Sequence, residues 1–293
     1  MTHRPIARQV SWMFIGLTVG FALILVEGSF QVVQAQTVSV SPTRVVFEGR
    51  ERSAEISLRN HGNERVTYRL GLQRMRMDED GVTTVIADDD GEAYGDERFA
   101  DEYLRFSPRQ VTLGPGEVQR VRVMARKPVD LEDGEYRAHL RFEALPTVSA
   151  PAKKAASGGE DFQIELRLIT SLTIPVIIRH GDLAADLEIS NLTIVEATTN
   201  TVAISLSRRG NRSVYGDIEV LYRPEGGQEN VVALRKGVAV YAPNDLRRLY
   251  LPLDLPEGSS LDGGRITVRF KEEKNGPTRV AAGKAFAIPA SNP

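Results

Sequence analysis

The stretch that decides the fold is Asp161–Arg179, DFQIELRLITSLTIPVIIR. Its even positions are Phe162, Ile164, Leu166, Leu168, Thr170, Leu172, Ile174 and Val176, whereas its odd positions begin with Gln163, Glu165 and Arg167 and are mostly polar. Residues that alternate with a period of two stand on opposite faces of a β-strand, so the stretch is a strand with one apolar face. It is about three times the length of a typical strand and, at ~3.3 Å per residue, reaches ~60 Å, more than one small sandwich covers. Periodicity alone leaves two readings open. Either the apolar face packs along its own core, or part of it is lent to another protein.

Working outward, Glu135–Ala144 (EYRAHLRFEA) also alternates, and the segment between the two, LPTVSAPAKKAASGGE from Leu145 to Glu160, is rich in Ala, Pro, Ser and Gly. Such a composition makes a flexible connector, so the two strands form an extended hairpin. Lys153 and Lys154 within it read as solvated surface charges. Further upstream the chain reads as a meander. Val38–Gly49 is broken by Pro42, which implies an edge position or a bend. Arg52–Asn60 and Thr67–Met77 follow, and Leu104–Met124 carries Ser107-Pro108 and the turn Gly114-Pro115-Gly116, in which glycine supplies positive φ and proline fixes its own. The acidic segment Asp78–Asp101 lacks the alternating ligand order of a calcium loop and reads as a solvated loop.

Downstream of Arg179, His180-Gly181-Asp182 marks a hinge. Seven short strands follow, at Leu187–Ile194, Thr201–Ser207, Asp217–Tyr222, Val231–Tyr241, Arg247–Leu253, Arg265–Lys271 and Gly283–Ile288. The fold class expected is all-β, with two tandem immunoglobulin-like β-sandwich domains over residues 36–180 and 181–293 and the long strand 161–179 closing the first.

Residues 1–35 have a different composition. His3, Arg4 and Arg8 precede the apolar run Trp12–Val26, and Val33-Gln34-Ala35 ends it as a cleavage site would, the pattern of a secretory signal peptide. The run is shorter than the ~20 residues of a spanning helix. With 41% hydrophobic and 26% charged residues, the remaining chain has enough apolar content for ordinary cores. A formal charge of -2 gives no electrostatic case for nucleic acid. Cysteine is absent, which removes disulfides and thiol chemistry, and an exported chain without cysteine is compatible with a bacterial periplasm.

Catalysis finds no support. His3, His61, His139 and His180 have no metal-ligand spacing and read as surface or satisfied structural residues; no nucleophile elbow, zinc-protease or phosphate-loop pattern occurs. The expectation is a protein that is not an enzyme, with no cofactor, no metal and no nucleic-acid partner.

Three pieces, taken in order, carry a resemblance. They are Ser41-Pro42-Thr43-Arg44-Val45-Val46-Phe47-Glu48-Gly49, the Ser107-Pro108 and Gly114-Pro115-Gly116 strand–turn–strand unit, and the long alternating strand. Behind an export signal and ahead of a second sandwich, they resemble the periplasmic chaperones of the chaperone–usher pilus pathway, over about residues 37–288 and most strongly in the first domain. The resemblance implies an ATP-independent periplasmic chaperone. Such a protein lends alternate apolar residues of its last first-domain strand to an incomplete pilus or fimbrial subunit and delivers the subunit to an outer-membrane usher. The donor residues would be Ile164, Leu166 and Leu168, with Leu172 and Ile174 continuing the face. It also implies that two basic residues in the interdomain cleft hold the subunit's terminal carboxylate. Arg44 matches the first. The second falls on Thr173, which carries no charge, and leaves Arg167, Arg179, Arg120 and Arg122 as candidates for its place. This departure marks a divergent branch. An exposed apolar strand also implies self-association of the unloaded protein. The alternative is an exported structural or adhesive tandem-sandwich protein whose long strand packs internally.

Overall fold

The computed structural model describes residues 38–86, 96–146, 171–196, 200–255, 261, 263–273 and 279–289. They lie within one compact unit, Ala35–Pro293. The described chain is all-β, as two tandem immunoglobulin-like sandwiches. The first holds β1 (Val38–Ser41), β2 (Val45–Phe47), β3 (Ser53–Asn60), β4 (Val66–Gln73), β5 (Met75–Met77), β6 (Thr83–Val85), β7 (Leu104–Ser107), β8 (Gln110–Leu113), β9 (Val118–Ala125), β10 (Gly134–Ala144) and β11 (Ser171–His180). The second holds β12 (Ala185–Glu196), β13 (Asn200–Gly210), β14 (Val214–Arg223), β15 (Asn230–Val240), β16 (Leu246–Pro252), β17 (Arg265–Glu272) and β18 (Arg279–Ala287). A short 3-10 turn, Asp101–Tyr103, interrupts the strands.

The first sandwich faces a sheet ordered β1-β3-β9-β7 against one ordered β2-β11-β10-β4-β8; the second faces β12-β13-β16 against β15-β14-β17-β18. Pro42 divides what the sequence reads as one strand. Proline offers no ladder donor, and across this break the chain changes sheets: β1 pairs with β3, whereas β2 runs parallel to β11, with Val45 opposite Val176 and Phe47 opposite Ile178. β2 is thereby an edge strand.

Apolar residues from both sheets of the first sandwich form one core, with Phe47, Ile56, Tyr68, Leu104, Leu113, Leu140 and Phe142 nearly inaccessible. The second has its own core, including Ile189, Leu206, Ile218, Val268 and Phe270. A third, smaller cluster joins them. Met77 and Ile177 of the first sandwich meet Ala239 and Tyr241 of the second, flanked by Val46 and Tyr215. Gly181 follows β11 with φ of +79°, and a Cβ there would collide with the Asp133 carboxyl group, so both the backbone and the space require glycine.

The acidic segment departs in part from its reading as a solvated loop. Asp78–Gly81 is the turn of the β5–β6 hairpin, where Asp78 Oδ1 accepts the N–H groups of Asp80 at 3.0 Å and Val82 at 2.8 Å. The turn rests on the second sandwich. Asn244 Nδ2 donates to the Met77 carbonyl at 2.6 Å, the Arg248 N–H donates to the Glu79 carbonyl at 2.6 Å, and the Arg248 and Glu79 side chains pair at 2.6 Å.

Candidate functional site

The cleft between the sandwiches is built by the odd-numbered residues of β10 and β11. In β10, Tyr136, Ala138, Leu140 and Phe142 enter the first core, so strand alternation turns Glu135, Arg137 and His139 to the opposite face, where Glu135 and Arg137 meet the second sandwich. All three are buried. In β11 the same alternation sends Ile174, Val176 and Ile178 into the core and Ile177 into the interdomain cluster. Arg179 shares the odd-numbered face.

Buried charge is tolerable only with partners, and here they come both from the neighbouring strand and from across the cleft. Glu135 accepts from Arg179 Nε at 3.0 Å, from the Ser213 N–H at 3.0 Å and from Ser213 Oγ. Arg179 Nη2 donates to the Ser213 carbonyl at 3.1 Å, and its Nη1 reaches Glu48 at 3.4 Å. Arg137 lies over the Tyr241 ring at 4.3 Å and donates to the carbonyls of Ala242 and Met75, each at 3.2 Å. Burial lowers the Arg137 pKa from its ordinary value, against the raising influence of Tyr241, Glu135 and Glu97. His139 is the exception to pairing. Its Nδ1 is buried without a hydrogen bond, so it is neither a surface residue nor a satisfied one, and burial, followed by the charge of Arg137, pushes its pKa down to about 3.

Arg44 precedes β2, and since Val45 and Phe47 point into the first core, it faces the cleft with Val46. Its guanidinium stacks on Tyr215 at 4.5 Å from the ring centroid. Arg44 Nε and Nη2 are buried and bond to nothing. A cation left in that condition lacks the anion its environment favours. Burial is the main cause of its lowered pKa; the Arg179 charge lowers it further, while Tyr241, Glu135 and Tyr215 oppose the shift. The guanidinium opens onto a cavity of about 550 Å³ lined in part by Arg44, Arg179, Arg212, Tyr215, Glu48 and Glu273. Arg212, from the second sandwich, is held by Glu272 at 2.6 Å. Three arginines thus border one polar cavity, and Arg44 has no ion pair among the described residues. The arrangement suits a carboxylate or another small anion.

Of the arginines considered for the place of Thr173, the structure brings Arg179 to this cavity. Arg120 and Arg122 stand on β9 in the opposite sheet, exposed, each 3.7 Å from Glu55. Arg167 lies outside the described residues, as do Ile164, Leu166 and Leu168. Thr173 is half-buried opposite Arg141. Leu172 and Ile174 depart from the expectation that they continue a face offered to a partner. Ile174 is 2% exposed inside the first core and Leu172 packs against that core, because β10 and β11 are paired here as neighbouring strands of one sheet and share its inner face. Sequence reasoning missed Arg212 and Tyr215, which come from the other sandwich, and the cleft-facing Glu135 and Arg137, whose alternation is that of any half-exposed strand.

Among the described residues no group of His, Asp or Glu is arranged to hold a metal ion, and no helix is long and apolar enough to cross a membrane.

The Fn3-like domain family matches residues 47–144. No curated protein matches the chain. Among solved structures it is similar to a chaperone of Acinetobacter baumannii Csu pili, in a CsuC–CsuE chaperone–tip adhesion subunit complex, at 12% identity and a TM-score of 0.42, covering 87% of this chain and 100% of that one. It is similar to an entity of the Salmonella enterica SafA pilin–SafB chaperone complex at 14% identity and a TM-score of 0.41, covering 87% and 97%. It is similar to the Pseudomonas aeruginosa CupB2 chaperone at 12% identity and a TM-score of 0.40, covering 85% and 98%.

Proposed function

We propose that this protein is an ATP-independent periplasmic chaperone that holds pilus or fimbrial subunits and delivers them to an outer-membrane usher. The observation that carries the reading is Arg44, a half-buried arginine beside an edge strand, with Nε and Nη2 buried without a hydrogen bond, which lines a polar cavity between two sandwiches. An exposed surface arginine needs no partner; this one is desolvated and lacks one. A subunit's terminal carboxylate supplies the missing charge and fixes the register in which the subunit's strand pairs with the chaperone's.

In this reading residues 1–35 direct export, residues 36–180 form the chaperone domain and residues 181–293 the second. The strand 161–179 donates Ile164, Leu166 and Leu168 to the subunit's open core. Three such side chains, at about 1.5–3 kcal/mol each when fully buried, outweigh several kcal/mol of ordering cost. Leu172 and Ile174 serve the protein's own core instead, so the donated segment ends before them. The chemistry asked of the chain is binding and folding, without catalysis, cofactor or metal.

Burial of Ile174 is also what an exported structural or adhesive protein with an internally packed strand requires. Coexpression with a candidate pilus subunit separates the two. A chaperone retains the subunit through purification, and Arg44→Ala and Leu166→Asp each release it. Retention that survives both substitutions rules out the strand-and-anchor mechanism, and failure to retain any subunit favours the structural reading.

A further inference from the structure

The three nitrogens of Arg179 are not held alike. Nε and Nη2 are fixed by Glu135, whose side chain is 2% exposed, and by the Ser213 carbonyl. Among the described residues Nη1 has only Glu48, whose side chain is 53% exposed and sits at 3.4 Å, the long end of a hydrogen bond. A pair so open to water contributes little and exchanges readily. Glu48 lines the same cavity as Arg44. Its backbone is anchored independently, since its carbonyl accepts the Glu51 N–H at 3.1 Å, so a change of side-chain rotamer vacates Arg179 Nη1 without moving β2.

We infer that Glu48 is the exchangeable counter-ion of the cleft, occupying Arg179 Nη1 until an incoming carboxylate takes its place and bridges Arg179 and Arg44. This rests on the carboxylate-binding reading above and adds the second cation that Thr173 does not provide, together with a residue that sets how strongly the cleft holds its ligand. One anion replaces another, so the cleft keeps its charge balance, and Arg44 gains the partner it lacks. A neutral carboxamide cannot make the exchange, because it leaves Arg44 beside Arg179 without a compensating charge. Glu48 therefore selects for charged over neutral chain ends and weakens the binding of a charged one by competition.

The test is a titration of the full chain with sodium acetate, followed by the arginine side-chain Nε–H resonances of 15N-labelled protein, with sodium chloride and acetamide as controls. The Arg44 and Arg179 signals are assigned through Arg44→Lys and Arg179→Lys. Acetate is expected to shift both signals along one saturation curve where chloride and acetamide do not, and Glu48→Gln, an exposed and isosteric change, to lower the acetate Kd about two- to fivefold. If acetate shifts Arg44 but Arg179 stays still, or if Glu48→Gln leaves the Kd unchanged or raises it, the exchange is wrong while the Arg44 anchor stands. If acetate shifts neither, the carboxylate site itself is overturned and the exchange with it.

Discussion

The two faces of the β10–β11 hairpin have the same spacing and opposite chemistry. On one, Tyr136, Ala138, Leu140 and Phe142 lie opposite Ile178, Val176, Ile174 and Leu172 in the first core. On the other, Glu135, Arg137 and His139 are buried nearly as deeply, with Glu135 and Arg137 set against the second sandwich among ion pairs, ring faces and backbone carbonyls. Alternation shows that one face of a strand is apolar; it does not show that the other meets water. The apolar face needs only volume and shape, whereas the polar face needs each charge matched by a specific partner, some of them from a domain distant in sequence. That demand is what singles out Arg44, where the matching is incomplete.

The comparison is broken most directly by truncating each face. Phe142→Ala should cost about 3–5 kcal/mol in urea unfolding through loss of packing, and a cost below about 1 kcal/mol would mean that the core is not closed around it. Glu135→Ala should cost a similar ~3–5 kcal/mol, because Arg179 keeps a buried charge without its main partner. A double-mutant cycle with Arg179→Met should show strong coupling across the pair, and additivity would show the polar face to be merely packed.

His139 sharpens the contrast through pH. Its folded pKa of about 3 lies below its ordinary 6.5, so between those values the unfolded chain binds the extra proton. Its contribution is fully present above about pH 6.5 and is lost as pH falls toward 3, by up to ~1.4 kcal/mol per pH unit. Unfolding free energies measured at pH 7.5, 6 and 5 should reveal that slope, and His139→Gln should remove it; a variant with an unchanged slope would assign the acid sensitivity to other groups. The smallest effect belongs to the exposed sheet. Glu55→Ala, which breaks two long contacts to Arg120 and Arg122, should alter stability by no more than about 0.5–1 kcal/mol, and less at high salt.

Much of the fold was legible because its signals are local. Period-two alternation in Glu135–Ala144 and Ser171–His180, the break at Pro42 and the turn at Gly114-Pro115-Gly116 each depend on a few adjacent residues. The site was legible only in part. Arg44 stood out through the residues around it, and Arg179 was one of four arginines with nothing local to rank them. Arg212 and Tyr215 carried no signal, since their role depends on which loop and strand of the second sandwich meet the first. The docking of the turn at Asp78–Gly81 went unread for a related reason: its acidic residues stay exposed, and an acidic turn facing water alone and one that also rests on Arg248 have the same composition.

What the sequence by itself determined is the set of strands and which face of each is apolar, because backbone geometry and hydrophobicity act within a few residues. Only the tertiary structure decided that the polar face of β10 is buried at Glu135, Arg137 and His139, that Ile174 belongs to the protein's own core, and that Arg44 and Arg179 border one cavity. Those outcomes depend on which surfaces meet between sandwiches, and desolvation and charge pairing act through space rather than along the chain.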